Sequence, residues 1–212
     1  MITLHHAPQS RSFRILWFLH EAGLDHEIRY HSFSGKALRD PAFLALSPAG
    51  RVPVVEVDGG ALFESGAILE YLCETRAPGL GRAPGTPERG KYLEWLHYGE
   101  TIAQHLAQLT FHHIALRPAD RSPVAQKLEA LRLRRVLEGV EAALSGDTLL
   151  DGFSAADIMV GSSAMIGARF VRLDGLPRLQ DWLARLKARP SYAAAQAADG
   201  PAELYLKEYY GD

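Results

Sequence analysis

Residues 51–72, RVPVVEVDGGALFESGAILEYL, limit the possible folds more than any other stretch of the chain. Val54, Val55 and Val57 favour a strand. Asp58-Gly59-Gly60 supplies the positive φ angles that a short hairpin needs. Ala61-Leu62-Phe63 returns as the second strand. Pro53 has no N–H to donate to a sheet, so it belongs at the strand entrance. Ser65 can cap a helix running through Ala67, Ile68, Leu69 and Leu72. Glu64 and Ser65 then stand beside helical N–H groups that lack intrahelical partners, which makes the junction a ready place for a carboxylate.

The stretch upstream completes an α/β unit. Residues 2–5 read as a strand, Ala7-Pro8-Gln9 as a turn, and residues 11–23 as a helix with Ile15, Leu16, Phe18, Leu19 and Ala22 on one face and Gly23 at its end. Residues 27–31 read as a second strand, so the crossover is right-handed and parallel. A short helix over 41–47 ends at Ser47-Pro48. The segment 76–90, RAPGLGRAPGTPERG, is the one clear linker.

Beyond the linker no strand-like alternation occurs. Residues 88–116 read as one long helix with Leu93, Leu96, Ile102, Leu106 and Leu109 inside, stopped by Pro118. Residues 123–144 form another. Phe153-Ser154-Ala155-Ala156-Asp157-Ile158 is a helix start with a reciprocal Ser154–Asp157 capping box and a Phe153–Ile158 staple. Residues 177–189 form a further helix, and Pro190 separates it from the C-terminal residues. The expected architecture is an α/β domain over 1–77 followed by an all-helical domain over 88–212.

The bulk numbers exclude more than they identify. A net charge of -2 over 212 residues, with no basic block, gives no support to a nucleic-acid partner. The single cysteine, Cys73, rules out an intrachain disulfide and fits a reducing compartment. The start, MITLHHAPQSR, lacks the features of a signal peptide, and no apolar run approaches the ~18 residues of a membrane span. A cytoplasmic protein with no membrane partner is expected. The His5-His6 and His112-His113 pairs do not present both rings to one side, so no metal is expected.

Three segments, SRSFRILWFLHEAG, SPAGRVPVVEVDGGALFESGAILEYL and FSAADIMVG, together resemble the glutathione S-transferase family, and the likeness covers nearly the whole chain. The first resembles the SRSxRILW pattern of a bacterial and fungal, serine-type branch. The resemblance implies a thioredoxin-like βαβαββα domain, glutathione as co-substrate, and detoxifying transfer of its sulfur to a hydrophobic electrophile, with peroxide reduction as a related activity. A non-catalytic ligand-binding or protein-interaction module on the same fold is the alternative.

The resemblance also assigns candidate residues. In serine-type members the catalytic serine stands four residues before an arginine matching Arg14, which selects Ser10, with Ser12 as the runner-up. On capping preference alone Ser10 reads as a helix cap. No cysteine lies in this loop, which argues against mixed-disulfide chemistry, and no tyrosine lies there either. The family pattern implies a cis bond before Pro53, with the Val52 backbone pairing to the cysteinyl unit of glutathione. Glu64 and Ser65 match the contacts to the γ-glutamyl head. Arg51 and Arg39 are candidates for the glycine carboxylate. The second-substrate pocket is expected between the domains, with Tyr98, His105, Leu109 and His112 of the long helix at spacings near one face. The resemblance implies a homodimer joined through the helix that starts at Ser65 and the partner's 88–116 helix.

Overall fold

The computed structural model describes residues 1–33 and 35–211. Ser34 and Asp212, the latter the expected end of the helical domain, lie outside the described residues. By its internal contacts the chain divides into one unit of Met1–Ala83 with Ala188–Leu206, and another of Pro84–Lys187 with the residues from Lys207 on.

In the first unit, β1 (Ile2–His6), α1 (Ser12–Glu21) and β2 (His26–Tyr30) form the expected parallel crossover, with Ile2 opposite His26 and His6 opposite Tyr30. After a short 3-10 turn, α2 (Pro41–Leu46) starts at Asp40, whose carboxylate accepts the Ala42 N–H at 2.8 Å. β3 (Val54–Val57) and β4 (Gly60–Phe63) form the hairpin on a two-residue turn. Asp58 and Gly59 carry φ of 52° and 78°, the pair of positive angles that matches strand twist in such a turn. The sheet order is β2-β1-β3-β4, with β3 antiparallel to both neighbours. Leu4, Val54 and Val55 from the sheet and Ile15, Leu16, Phe18 and Leu19 from α1 are buried, as are Ile68, Leu69 and Leu72 of α3 (Ser65–Thr75). Apolar area removed from water at roughly 25 cal/mol per Å² is what holds these layers together.

The residues after Pro190, which the sequence leaves without structure, form α8 (Pro190–Ala198) and pack on α1. A proline at the first helical position starts a helix because its missing N–H is not needed there. The Ala-rich run behind it propagates the helix. The Trp17 indole donates to Ser191 Oγ at 3.2 Å, and Tyr192 meets the Trp17 ring edge-on at 5.1 Å. Arg189 and Ser191 both donate to the Glu21 carboxylate.

Among its described residues the second unit has helices joined by irregular segments and no strand. The long helix is α4 (Arg89–Thr110), and residues 111–115 widen into a π turn rather than continuing it. α6 (Ala155–Gly167), most of whose residues are buried, packs chiefly along α4, while α5 (Pro123–Ala143) packs on α4 and on α7 (Pro177–Lys187). A helix apolar on every side is one that sits at the centre of its layer. α4 and α6 approach closely at Gly99, where a Cβ would stand 2.9 Å from the Met159 carbonyl oxygen, and Ser163 Oγ donates to the Gly99 carbonyl at 3.1 Å. The Ser154–Asp157 capping box is formed. The buried Asp157 carboxylate accepts the Ser154 and Leu149 N–H groups, each at 2.9 Å. Burial pushes the Asp157 carboxyl above its ordinary pKa, against the pull of these bonds. Among the described residues no helix is long and apolar enough to cross a membrane.

Candidate functional site

The strand register gathers three loops at one end of the sheet. His5 near the end of β1 lies opposite Val54 at the start of β3, and Phe63 at the end of β4 lies opposite the same Val54. The chain therefore leaves β1 into residues 7–11, enters β3 from Val52-Pro53, and leaves β4 into Glu64-Ser65 at a common edge. Ala7 and Val52 share one buried cluster with Phe43 and Val54.

In the first loop, Ser10 is partly exposed and Ser12 is fully buried. The two hydroxyls lie 2.6 Å apart, and Ser10 Oγ accepts the Ser12 N–H at 3.1 Å. Arg11, not Ser10, is the capping residue of α1, although the Ser10 oxygen holds the N–H of the helix's first residue, and the Ser10 hydroxyl is only partly buried. Ser12 Oγ accepts the Ala7 N–H at 3.1 Å and lies 2.8 Å from Nδ1 of the fully buried His6. Nε2 of His6 stands 3.0 Å from the Asp199 carbonyl oxygen and 3.3 Å from its Oδ1.

Gln9 carries φ 59°, and its N–H donates to the Asp199 carboxylate at 3.1 Å. Its side-chain oxygen accepts the N–H groups of Glu203, Leu204 and Tyr205, and its amide donates to the Tyr205 carbonyl at 3.2 Å. Residues 199–205 thus clamp the loop that carries Ser10. His6, Gln9 and Asp199 are the site residues that the sequence did not reveal. No spacing rule connects position 6 with position 199; only the return of α8 does.

The second loop is fixed by Ser47, whose hydroxyl accepts the Arg51 N–H at 3.1 Å and donates to the Arg51 carbonyl at 2.9 Å. The Val52–Pro53 bond is cis, in line with the resemblance. Arg51 is exposed. Arg39 is exposed as well and reaches the Ala49 carbonyl at 3.5 Å. The third loop corrects one expectation. Ser65 does not cap α3; Glu64 is the capping residue, without a side-chain hydrogen bond, at φ 68° and ψ 113°. Because the chain turns in at Glu64, Ser65 already lies in the first turn, and its hydroxyl accepts from the buried Arg14 guanidinium at 2.9 Å. That leaves its own proton to give to an anion at the helix N-terminus.

The α4 residues divide. Tyr98 donates its hydroxyl to the Val136 carbonyl at 3.0 Å, and burial pushes its pKa up. His105 Nδ1 meets Glu129 at 2.8 Å. Leu109 is buried in the helical unit. Tyr98 and His105 are thus each tied to α5 while remaining partly exposed, and Leu109 belongs to the core of the unit. His112, in the π turn, keeps a buried Nδ1 without a hydrogen-bond partner. Among the described residues no cluster of three His, Cys, Asp or Glu is arranged to hold a metal.

Residues 1–74, the part that holds Ser10, Val52-Pro53, Glu64 and Ser65, match the family model described as the glutathione S-transferase N-terminal domain. Glutathione S-transferase 3 of Schizosaccharomyces pombe is 30% identical over 82% of this chain and 70% of its own length. The chain belongs to the glutathione S-transferase family. Other members of the family's neighbourhood bear different names: Disulfide-bond oxidoreductase YfcG of Escherichia coli is 31% identical over 92% of this chain and 94% of its own. Among solved structures, a glutathione transferase homolog from Lodderomyces elongisporus with two GSH per subunit superposes with a TM-score of 0.86 at 25% identity, covering 93% of this chain and 98% of that one. A glutathione transferase from Methylococcus capsulatus superposes at 0.81 with 30% identity, over 94% and 99% of the two chains. The mixed four-stranded sheet with its flanking helices is thus the thioredoxin-like half of a glutathione S-transferase fold, and the helical layer after it is the other half.

Proposed function

We propose that this chain binds glutathione at the sheet end where the three loops meet and ionises its thiol for attack on a hydrophobic electrophile. The observation that carries the reading is the convergence of Ser10, the cis Val52–Pro53 pair and the Glu64-Ser65 helix entrance on that one edge. Each piece suits a different part of the tripeptide. The α3 N-terminus and the Ser65 hydroxyl receive the α-carboxylate, backed by the helix dipole and by Arg14 behind it. Glu64 accepts from the α-ammonium. The Val52 backbone faces the cysteinyl unit, and Arg51 and Arg39 serve the glycine carboxylate. Ser10 stands in the serine-type position for the sulfur. A free thiol ionises near pKa ~8.5, and each unit of depression takes about 1.36 kcal/mol of preference for the anion. Hydrogen bonding to the sulfur supplies that preference.

The second substrate is assigned to the neighbourhood of α4, with Tyr98, His105, Leu109 and His112 as the candidate lining. A homodimer joined through α3 and α4 belongs to the same reading and is checked by sedimentation. Disulfide reduction is the second reading, favoured by the likeness to the Escherichia coli oxidoreductase. In that case the thiols come from glutathione, since Cys73 is buried in α3.

Two measurements test the reading. Calorimetry with glutathione is expected to show binding that weakens about tenfold in Ser65→Ala, the loss of one charge-assisted hydrogen bond. Unaltered affinity removes Ser65 from the site. A panel of aryl halides, isothiocyanates, hydroperoxides and a small disulfide then separates transfer from reduction. Glutathione binding with no turnover on any of them identifies a carrier.

A further inference from the structure

We propose that the row Ser10–Ser12–His6–Asp199, which runs from the partly exposed loop into the buried interior, is a proton relay that takes the thiol proton of bound glutathione inward; it rests on the glutathione reading above. The hydrogen-bond geometry fixes the direction of each link. Both groups near His6 Nε2 are acceptors, the Asp199 carbonyl at 3.0 Å and its carboxylate oxygen at 3.3 Å, so Nε2 carries a hydrogen. In the neutral ring Nδ1 is then an acceptor, and the Ser12 hydroxyl at 2.8 Å donates to it. The Ala7 carbonyl, at 3.3 Å, is the longer alternative for that proton. With its one proton spent on His6, Ser12 Oγ can only accept from the Ser10 hydroxyl at 2.6 Å. Ser10 Oγ already accepts the Ser12 N–H, which leaves it one lone pair for a ligand.

In this state Ser10 offers a bound thiol an acceptor and no hydrogen. The thiol proton passes to Ser10 Oγ, the former Ser10 proton to Ser12 Oγ, and the former Ser12 proton to His6 Nδ1. One S–H bond breaks, one N–H bond forms, and each serine ends with one proton, so nothing else enters or leaves. The three links now point the other way. Ser10 donates to the thiolate it has produced, Ser12 donates to Ser10, and the His6 imidazolium faces the Asp199 carboxylate. One serine thereby serves first as acceptor and then as anion-stabilising donor. His6 acts through Ser12 and Ser10 without touching the sulfur. His6 and Ser12 are fully buried and Asp199 nearly so, and the Tyr30 ring stands edge-on to His6 at 5.7 Å, so the inner links of the row are shielded from bulk water. The choice between Ser10 and Ser12 dissolves, because each does half of the work.

The relay makes a countable difference. Calorimetry of glutathione binding in buffers of differing ionisation enthalpy gives the protons released, and ultraviolet difference absorbance gives the thiolate formed. The wild-type protein is expected to form thiolate while releasing close to no protons, because His6 keeps them. In Ser12→Ala the thiolate fraction is expected to fall about tenfold, one pKa unit of lost preference, and the thiolate that remains to release one proton each. Release of about one proton per thiolate in the wild type overturns the relay while leaving glutathione binding intact. Should Ser12→Ala fail to fold, the ¹⁵N spectrum of the wild-type His6 ring decides: protonation of both nitrogens on binding supports the relay, and an unprotonated Nδ1 beside a formed thiolate overturns it. Failure of the wild type to bind glutathione is a distinct result, which removes the glutathione reading and the relay together.

Discussion

Glu64 leaves β4 at φ 68° and ψ 113°, a conformation that costs a residue bearing a Cβ about 1–3 kcal/mol. Glycine adopts it freely. The strain is held by the elements on either side, and it aims the α3 N-terminus at the edge where Ser10 lies. Glu64→Gly is therefore expected to keep stability or raise it by up to about 1 kcal/mol, while weakening glutathione binding through loss of the carboxylate. Urea denaturation and calorimetry check the two halves; a clear loss of stability contradicts the assignment of strain. At this scale the sequence was legible where local chemistry speaks. The Asp58-Gly59 turn and the Ser154–Asp157 box follow from residue type and spacing. Ser65 reads as a cap from sequence because nothing in its neighbours announces a positive φ at Glu64, and that angle shifts the helix start by one residue.

Glu21 shows what joins α1 to α8. Burial pushes its carboxyl pKa up, but hydrogen bonds from Arg189 and Ser191 and the Arg189 charge outweigh burial and hold it below the ordinary 4.5. A carboxyl depressed in the folded state adds stability that is present above the unfolded pKa and is lost as pH falls through the folded one. Glu21→Gln is expected to cost about 2 kcal/mol at pH 7, the worth of a charged hydrogen-bonded partner, and progressively less as pH falls below 4.5. Denaturation of both proteins across that range tests it; a gap that does not change with pH contradicts it. Among the elements, those with strong periodicity were legible: β1 to β4, α1, α3, α5 and α7 fall within a residue or two of the pattern. α4 ended early because the π turn at 111–115 carries no compositional mark. α8 was missed because a proline that begins a helix reads the same as one that ends it.

At the scale of the molecule, the chain runs out of the sheet unit at Ala83 and comes back to it at Ala188. The return is what completes the loop around Ser10, through Asp199 on His6 and Gln9 and through the N–H groups of residues 203–205 on Gln9. No local pattern can show this, since the partners are almost two hundred residues apart. The family motifs point to the front of the candidate site, and the fold places Asp199 and residues 203–205 behind it. Ser10 is the point where the two meet. Ultraviolet difference titration of glutathione bound to the wild type and to Ser10→Ala measures its role directly. The expected result is a thiol pKa below the free value of ~8.5 in the wild type, moving back toward that value in Ser10→Ala with glutathione still bound. A bound thiol whose pKa is the same in both proteins would contradict the central claim.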